Sequence, residues 1–299
     1  MGKLLVCDPI AASAVEAMRA AGIDVEVRDD ITLEDLAGII GDYEGIVVRS
    51  RTKVRENLID KATRLKVIIR GGAGLDSIDV DHAKSKGIDV CNTPAANSNA
   101  VAELVLGMML GLARNVTLAD SSMEDGRWEK KQLKGTEITG KTLGVVGYGR
   151  IGQLLGEKAK ALGMKVVAYD PYIEHPDIIP LDDVFAAADY ISLHVPMTTQ
   201  TAGFISTEAF TKIKKGAYLI QASRGGTVDE AALYEALTNG TLRGAALDVY
   251  TEEPPKNDLL LKLVALPNVI TTPHIGAATV EAQDRVGGEI VKIAISYLA

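Results

Sequence analysis

Short runs of aliphatic and β-branched residues alternate with helix-patterned segments along almost all of this 299-residue chain. That alternation constrains the fold more than any other feature. Parallel strands need a crossover between them, usually a helix, so a repeating strand–helix pattern predicts parallel βα units. In the first third the strand candidates are KLLVCD, DVEVR, GIVVRS, KVIIRGG and IDVCN. Helical stretches such as SAVEAMRAAG and NLIDKAT lie between them, several of them closed by glycine as a helix stop. A long helix is expected from about Ser98 to Ala119, followed by a polar segment that holds the only tryptophan, Trp128. From Lys141 a second strand set begins: KTLGVVG, KVVAYD, DYISLHV, AYLIQAS, GAALDVY and NVITTPH. The last stretch, Ala277 to Ala299, reads as one helix that returns to the first domain. The expectation is an α/β chain of two doubly wound parallel-sheet domains, which suits its length. Residues 1–96 with about 280–299 would form one domain and residues 97–279 the other.

Composition narrows the function. With 32 Lys+Arg against 40 Asp+Glu, the formal charge is −8, which argues against nucleic-acid or anionic-membrane partners. An anionic ligand must then be held by arginines placed locally. Cys7 and Cys91 have neither C-x-x-C nor metal-site spacing and read as buried free thiols of a reducing, cytoplasmic setting. The N-terminal apolar run is too short for a signal peptide, and AVAELVLGMMLGLA is too short and too interrupted for a membrane span. Histidines are few and none is paired at ligand spacing, so no metal site is expected.

In an open parallel sheet, ligands bind beyond the carboxyl ends of the strands, so the residues after each strand carry the argument. After KTLGVV comes Gly147-Tyr148-Gly149-Arg150-Ile151-Gly152, a full G-x-G-x-x-G that opens a helix. Asp170 ends the next strand, eighteen residues after Gly152. Glycines there let backbone approach a pyrophosphate at a helix N-terminus, and the acid suits ribose hydroxyls. An acid at that place disfavours a 2′-phosphate, so NAD is expected over NADP. Ser223-Arg224-Gly225-Gly226 follows AYLIQAS, Glu253 follows GAALDVY, and His274 ends NVITTP. An arginine, a carboxylate and an imidazole at successive strand ends form a catalytic set for oxidising a 2-hydroxy acid. The imidazole takes the hydroxyl proton, the carboxylate orients the ring, and the guanidinium grips the substrate carboxylate. Among the other histidines, His82 reads as exposed on a helix and His175 as a loop residue. His194, followed by Val195-Pro196, competes for the base role but reads better as a wall of the cofactor site. In the first domain, Arg49-Ser50-Arg51 and Arg70-Gly71-Gly72 end two strands and are expected to clamp an anion across an interdomain cleft.

The stretches GVVGYGRIGQ, AYDPY, SRGGTVDEAAL, GAALDVYTEEPP and TPHIGAAT resemble the D-isomer-specific 2-hydroxyacid dehydrogenases. VVRSRTKV, RGGAGLDSIDV, NTPAANSNAVAEL and DGRWEKKQLKGTEITGKTLG extend the likeness along essentially the whole chain, toward members that oxidise 3-phospho-D-glycerate at the entry to serine synthesis. The resemblance implies a Rossmann-type NAD domain, a flavodoxin-like substrate domain and a homodimer joined through residues about 98–140. It implies Arg224, Glu253 and His274 as the catalytic trio. It places NAD at Gly147, Gly149, Arg150, Ile151, Gly152, Asp170, Val195, Pro196, Ala222, Ser223, Arg224, Asp248, His274, Gly276 and Ala277. A small anionic 2-hydroxy acid would meet Arg49, Ser50, Arg70, Gly71 and Gly72. Ala73 stands where relatives often carry threonine, and the sequence ends where longer relatives append a regulatory domain. A glyoxylate or hydroxypyruvate reductase, and an NAD-sensing corepressor of the same fold, are the alternatives the motifs leave open.

Overall fold

The computed structural model describes residues 2–299. It divides into two compact units, one made of residues through Asn97 together with Ala277–Ala299, the other of Ser98–Gly276. In the first, β1 (Lys3–Val6), β2 (Asp24–Val27), β3 (Gly45–Val48), β4 (Val67–Arg70) and β5 (Asp89–Asn92) form a sheet of order β2-β1-β3-β4-β5. All of its strand pairs are parallel. Apolar residues run through the central strands β1, β3 and β4 without a polar face because both faces are covered, whereas the edge strands β2 and β5 are partly exposed. Leu5, Ile46, Val48 and Ile68 pack on one side, and Leu4, Val6, Val47, Val67 and Ile69 on the other. Each central strand therefore feeds two cores at the period of two that a pleated strand imposes.

The second core is closed by the C-terminal helix, Val280–Leu298. Thr279 caps it by accepting a hydrogen bond from the Ala282 amide. Its buried stripe, Ala282, Val286, Ile290, Ala294 and Leu298, recurs every four residues. Gly287 lets the helix lie against Ala14 of the N-terminal helix Ala12–Ala20, since a Cβ there would sit 3.1 Å from the Ala14 side chain. Cys7 is buried as expected, and burial beside Asp8 pushes its thiol up to about 12. Cys91 differs: it is half-buried, with its sulfur 3.8 Å from the Tyr297 hydroxyl.

The second unit holds six parallel strands: β6 (Thr142–Val146), β7 (Lys165–Tyr169), β8 (Tyr190–Leu193), β9 (Ala217–Gln221), β10 (Leu242–Leu247) and β11 (Val269–Thr271). Their order is β11-β10-β9-β8-β6-β7, so the winding reverses between β6 and β8. The long helix expected to reach Ala119 is instead two, Ser98–Arg114 and Val116–Glu124, bent by 66°. The break is at Asn115, whose φ of 53° is left-handed, a conformation asparagine tolerates better than most residues. The Ala113 carbonyl meanwhile accepts from the Thr136 amide, and the Asn115 side chain donates to the Leu133 carbonyl. The polar segment after residue 124 thus folds back onto the helix and pins the bend. Among the described residues no single helix is long and apolar enough to cross a membrane.

Candidate active site

In the second unit every strand delivers its carboxyl end to one edge of the sheet. The reversal between β6 and β8 is where a doubly wound sheet opens a crevice. Gly147 follows β6 with φ +91°, and a Cβ on it would lie 2.6 Å from the His194 carbonyl oxygen. A Cβ on Gly152 would lie 2.3 Å from the Gly147 carbonyl oxygen. Both positions therefore need glycine for close packing of strand, turn and helix. Gly149 is different, with nothing within 4 Å of its virtual Cβ. It is the N-cap of the helix Arg150–Ala161, and no side chain caps that end. An uncapped helix start facing open space is what a pyrophosphate requires.

Asp170 follows β7, but it is more engaged than a waiting ribose ligand would be. Its two oxygens accept the Tyr148 and Tyr172 amides, each at 2.9 Å. These bonds fix the carboxylate beside the glycine turn and leave each oxygen a further lone pair. The Tyr148 ring passes over Gly156 and donates its hydroxyl to Asp177 at 2.7 Å. Burial, aided by Asp177, raises the tyrosine above its ordinary range. His175 packs edge-on to that ring in the same loop.

His194, after β8, has its Nε2 2.8 Å from Ser192 Oγ. The residue keeps some exposure, yet its Nδ1 is shut away from solvent without a partner among the described residues. Burial pushes its pKa down to about 4. The ring is held by Ser192 with Nδ1 buried, while the His194 backbone packs against Gly147. Val195 lines the same turn, its Cγ1 3.1 Å from the virtual Cβ of Gly147, and Pro196 accepts the Thr201 hydroxyl through its carbonyl.

The loop after β9 is built on Gln221, a buried strand residue that the sequence did not single out. Its amide nitrogen donates to the Arg224 carbonyl at 2.9 Å and to Thr227 Oγ1 at 2.5 Å. Its oxygen accepts the Ser223 amide and hydroxyl. Arg224 donates from Nη1 to the Ser223 carbonyl at 2.7 Å. The turn lies directly against the loop after β10, since a Cβ on Gly225 would fall 1.8 Å from the Tyr250 carbonyl oxygen. Ala222 is buried at the start of this turn.

Glu253 and His274 meet. His274 Nδ1 lies 2.8 Å from Glu253 Oε2, and Glu253 Oε1 accepts the Tyr250 amide at 3.2 Å. A carboxylate only accepts, so the neutral imidazole must carry its proton on Nδ1 and keep the Nε2 lone pair open. No hydrogen bond occupies Nε2 among the described residues, and the side chain is 45% exposed. His274 holds φ +54°, an uncommon value for a residue with a side chain. Asp248, 1% exposed, keeps it there: Oδ1 accepts Thr272 Oγ1 at 2.6 Å and the Ile275 amide at 2.7 Å. Its Oδ2 accepts the Gly276 amide at 2.9 Å. The expected cofactor residue Asp248 is thus engaged in bracing the histidine loop, and Gly276 packs closely on it, since a Cβ there would lie 3.1 Å from that carboxylate. Tyr250, which burial raises to about 12, donates to the Leu247 and Thr272 carbonyls and ties the ends of β10 and β11 together. Ala277, expected to touch cofactor, is the first residue of the other unit's second segment, and its carbonyl accepts Gln283 Nε2.

In the first unit the expected anion cradle draws together in part. Arg70 reaches Ser50 Oγ from Nη2 at 3.2 Å and the Gly71 carbonyl from Nη1 at 3.1 Å. Gly72 has φ +141°, and the Arg70 guanidinium fills the place its Cβ would take. Arg49 donates from Nη1 to Gln283 Oε1 at 2.5 Å, and its Cγ is 3.5 Å from the virtual Cβ of Gly71. Arg51, expected beside them in the clamp, instead donates from Nε to the buried Asp8 at 2.8 Å and from Nη2 to the Cys7 carbonyl. No group of three or more metal-ligating side chains occurs among the described residues.

Residues 106–276 match the family model described as D-isomer specific 2-hydroxyacid dehydrogenase, NAD binding domain. The chain belongs to this family. It is 47% identical to a hydroxypyruvate reductase of Thermotoga maritima over 274 residues, 90% of each chain. It is 48% identical over 295 residues to a D-3-phosphoglycerate dehydrogenase of Methanocaldococcus jannaschii. That match takes in 96% of this chain but 56% of the longer relative. Among solved structures, D-lactate dehydrogenase from Aquifex aeolicus complexed with NAD and lactic acid aligns with a TM-score of 0.85 and 31% identity. The alignment covers 97% of this chain and 93% of that one. The protein is an oxidoreductase of the 2-hydroxyacid dehydrogenases, and its second unit is an NAD-binding domain.

Proposed function

We propose that this dehydrogenase oxidises 3-phospho-D-glycerate to 3-phosphohydroxypyruvate with NAD, with Arg224, Glu253 and His274 as the catalytic residues. The observation that carries the chemistry is the His274–Glu253 hydrogen bond of 2.8 Å, which leaves Nε2 as the open proton acceptor. NAD held there would supply the hydride acceptor for the carbinol carbon. His274 Nε2 takes the hydroxyl proton, and Glu253 bears the resulting imidazolium by accepting from Nδ1. Arg224 grips the substrate carboxylate with its planar fork and holds the carbinol carbon in register. The glycine turn from Gly147 to Gly152 and the start of the helix at Arg150 and Ile151 hold the pyrophosphate, with Asp170 at the ribose. Val195, Pro196, Ala222 and Ser223 wall the nicotinamide side.

The phosphate is read by Arg49, Ser50, Arg70 and the Gly71–Gly72 turn, a cradle whose two guanidinium groups suit a phosphate and would hold the carboxylate of a smaller substrate. The similarity to D-3-phosphoglycerate dehydrogenases supports this choice. A hydroxypyruvate reductase is the second reading, favoured by the relative from Thermotoga maritima that matches over nine-tenths of both chains. Exposed Leu110, Val116, Leu118, Met123 and Trp128 support a homodimer built on the 98–140 segment. Turnover of 3-phospho-D-glycerate, hydroxypyruvate and glyoxylate with NAD(H) and NADP(H) tests the substrate. His274→Ala should lower turnover by about 10²–10⁴-fold while NAD still binds. Near-wild-type turnover in that variant removes the histidine from the mechanism.

A further inference from the structure

The strand order of the first sheet reverses between β1 and β3, and a doubly wound sheet opens its ligand crevice at such a reversal. Asp8, two residues past β1, lies there with only 1% of its surface exposed. Its Oδ2 accepts the Arg49 amide at 2.5 Å and the Thr52 amide at 3.3 Å. Its Oδ1 accepts Thr52 Oγ1 at 2.9 Å and Arg51 Nε at 2.8 Å. A buried carboxylate is costly unless donors surround it, and here four do. All four come from the loop after β3.

We propose that Asp8 is a positioning residue for the substrate anion: it locks residues 49–52 so that Arg49 and Ser50 join Arg70 in one cradle, and it withdraws Arg51 from that cradle. The inference rests on the reading that this cradle binds the substrate. Between β3 and the helix Glu56–Ile59 the loop makes one isolated bridge, Val54 to Ile78, and Ser77 Oγ donates to the Arg49 carbonyl at 3.4 Å; the side-chain acceptor that residues 49–52 wrap is Asp8. Ser50 is the link: its hydroxyl accepts from Arg70, while its neighbours on both sides are bound to Asp8.

Position and field make opposite predictions, which gives the test its force. Coulomb's law alone says that removing a negative charge next to an anion site tightens anion binding. A positioning role says that binding loosens because the loop slackens. Asp8→Asn keeps the volume and one set of contacts but cannot accept from all four donors. We expect its KM for 3-phospho-D-glycerate to rise about tenfold, the change that goes with losing roughly one charged hydrogen bond. The Kd for NAD should be unchanged. Thr52→Val, which removes only the hydroxyl, should raise the same KM about threefold and serves if Asp8→Asn folds poorly. A KM that is unchanged or lower in a folded variant overturns the proposal, as does an equal rise in the Kd for NAD. The wild-type substrate panel is measured first. If hydroxypyruvate proves the substrate, its KM becomes the readout, so failure of the phosphoglycerate reading is distinguished from failure of the role of Asp8.

Discussion

His194 makes the stability of the second unit depend on pH in a window that can be stated in advance. Its pKa is pushed from an ordinary 6.5 down to about 4 by burial. In the unfolded chain the imidazole protonates as pH falls through 6.5, whereas in the folded protein it stays neutral until about 4. The unfolded state therefore binds more protons between those values, and stability must fall as pH falls. The stabilisation is complete above pH 6.5 and gone below about 4. At about 1.36 kcal/mol per pKa unit, the whole shift amounts to about 3 kcal/mol, of which about 2 kcal/mol is lost between pH 7 and pH 5. The assay is urea unfolding followed by far-UV circular dichroism at several pH values, on the wild type and on His194→Gln. Glutamine does not titrate and keeps an amide near Ser192. His82, His175 and His274 occur in both proteins, so their contributions cancel in the difference. The difference in unfolding free energy should climb by up to about 1.4 kcal/mol per pH unit through that window. Parallel curves would refute the claim that this imidazole is held neutral by burial.

Two further outcomes follow from the geometry of the site. Glu253→Gln keeps an acceptor near His274 Nδ1 but removes the charge that supports an imidazolium. It should lower kcat by about ten- to a hundredfold with little change in the KM for NAD, measured by NADH absorbance. Gly225→Ala would put a methyl 1.8 Å from the Tyr250 carbonyl, forcing the loops after β9 and β10 apart. It should cost about 1–3 kcal/mol in urea unfolding and depress turnover; a stable, active variant would show that the two loops do not depend on each other.

The parallel strand–helix alternation was legible in the sequence because both faces of the central strands are covered, which writes those strands as continuous apolar runs. The glycine turn was legible for a related reason: Gly147 and Gly152 answer to backbone contacts that no other residue permits. Glu253 and His274 could be paired because they end adjacent strands of one sheet. The bend at Asn115 was not legible, since AVAELVLGMMLGLARNVTLA keeps a helical pattern through it. What breaks the helix is the Thr136 amide, a partner twenty-three residues away from Ala113. Arg51 misled for a similar reason. Beside Arg49 it looks like half of a clamp, and only the fold brings Asp8, forty-three residues earlier, beneath it.

Three polar residues whose bracing role escaped the sequence share a position and a task. Asp8, Gln221 and Asp248 are each buried, each at or just past the end of a strand, and each accepts or donates several hydrogen bonds from the loop that follows a neighbouring strand or its own. A loop that carries chemistry cannot be held by apolar packing alone, because its backbone amides and carbonyls need partners wherever water is excluded. A polar side chain rising from the rigid end of a strand supplies those partners and fixes the loop to the sheet in one step. The left-handed backbone of His274 and the turn that presents Arg224 both depend on such a brace. The side chains proposed to react can therefore stay exposed, Glu253 at 38% and His274 at 45%, while the groups that aim them are almost wholly buried. In a single sequence a polar residue at a strand end reads as a solvated loop residue or a ligand contact, and that is why the bracing roles were invisible while the groups they aim were not.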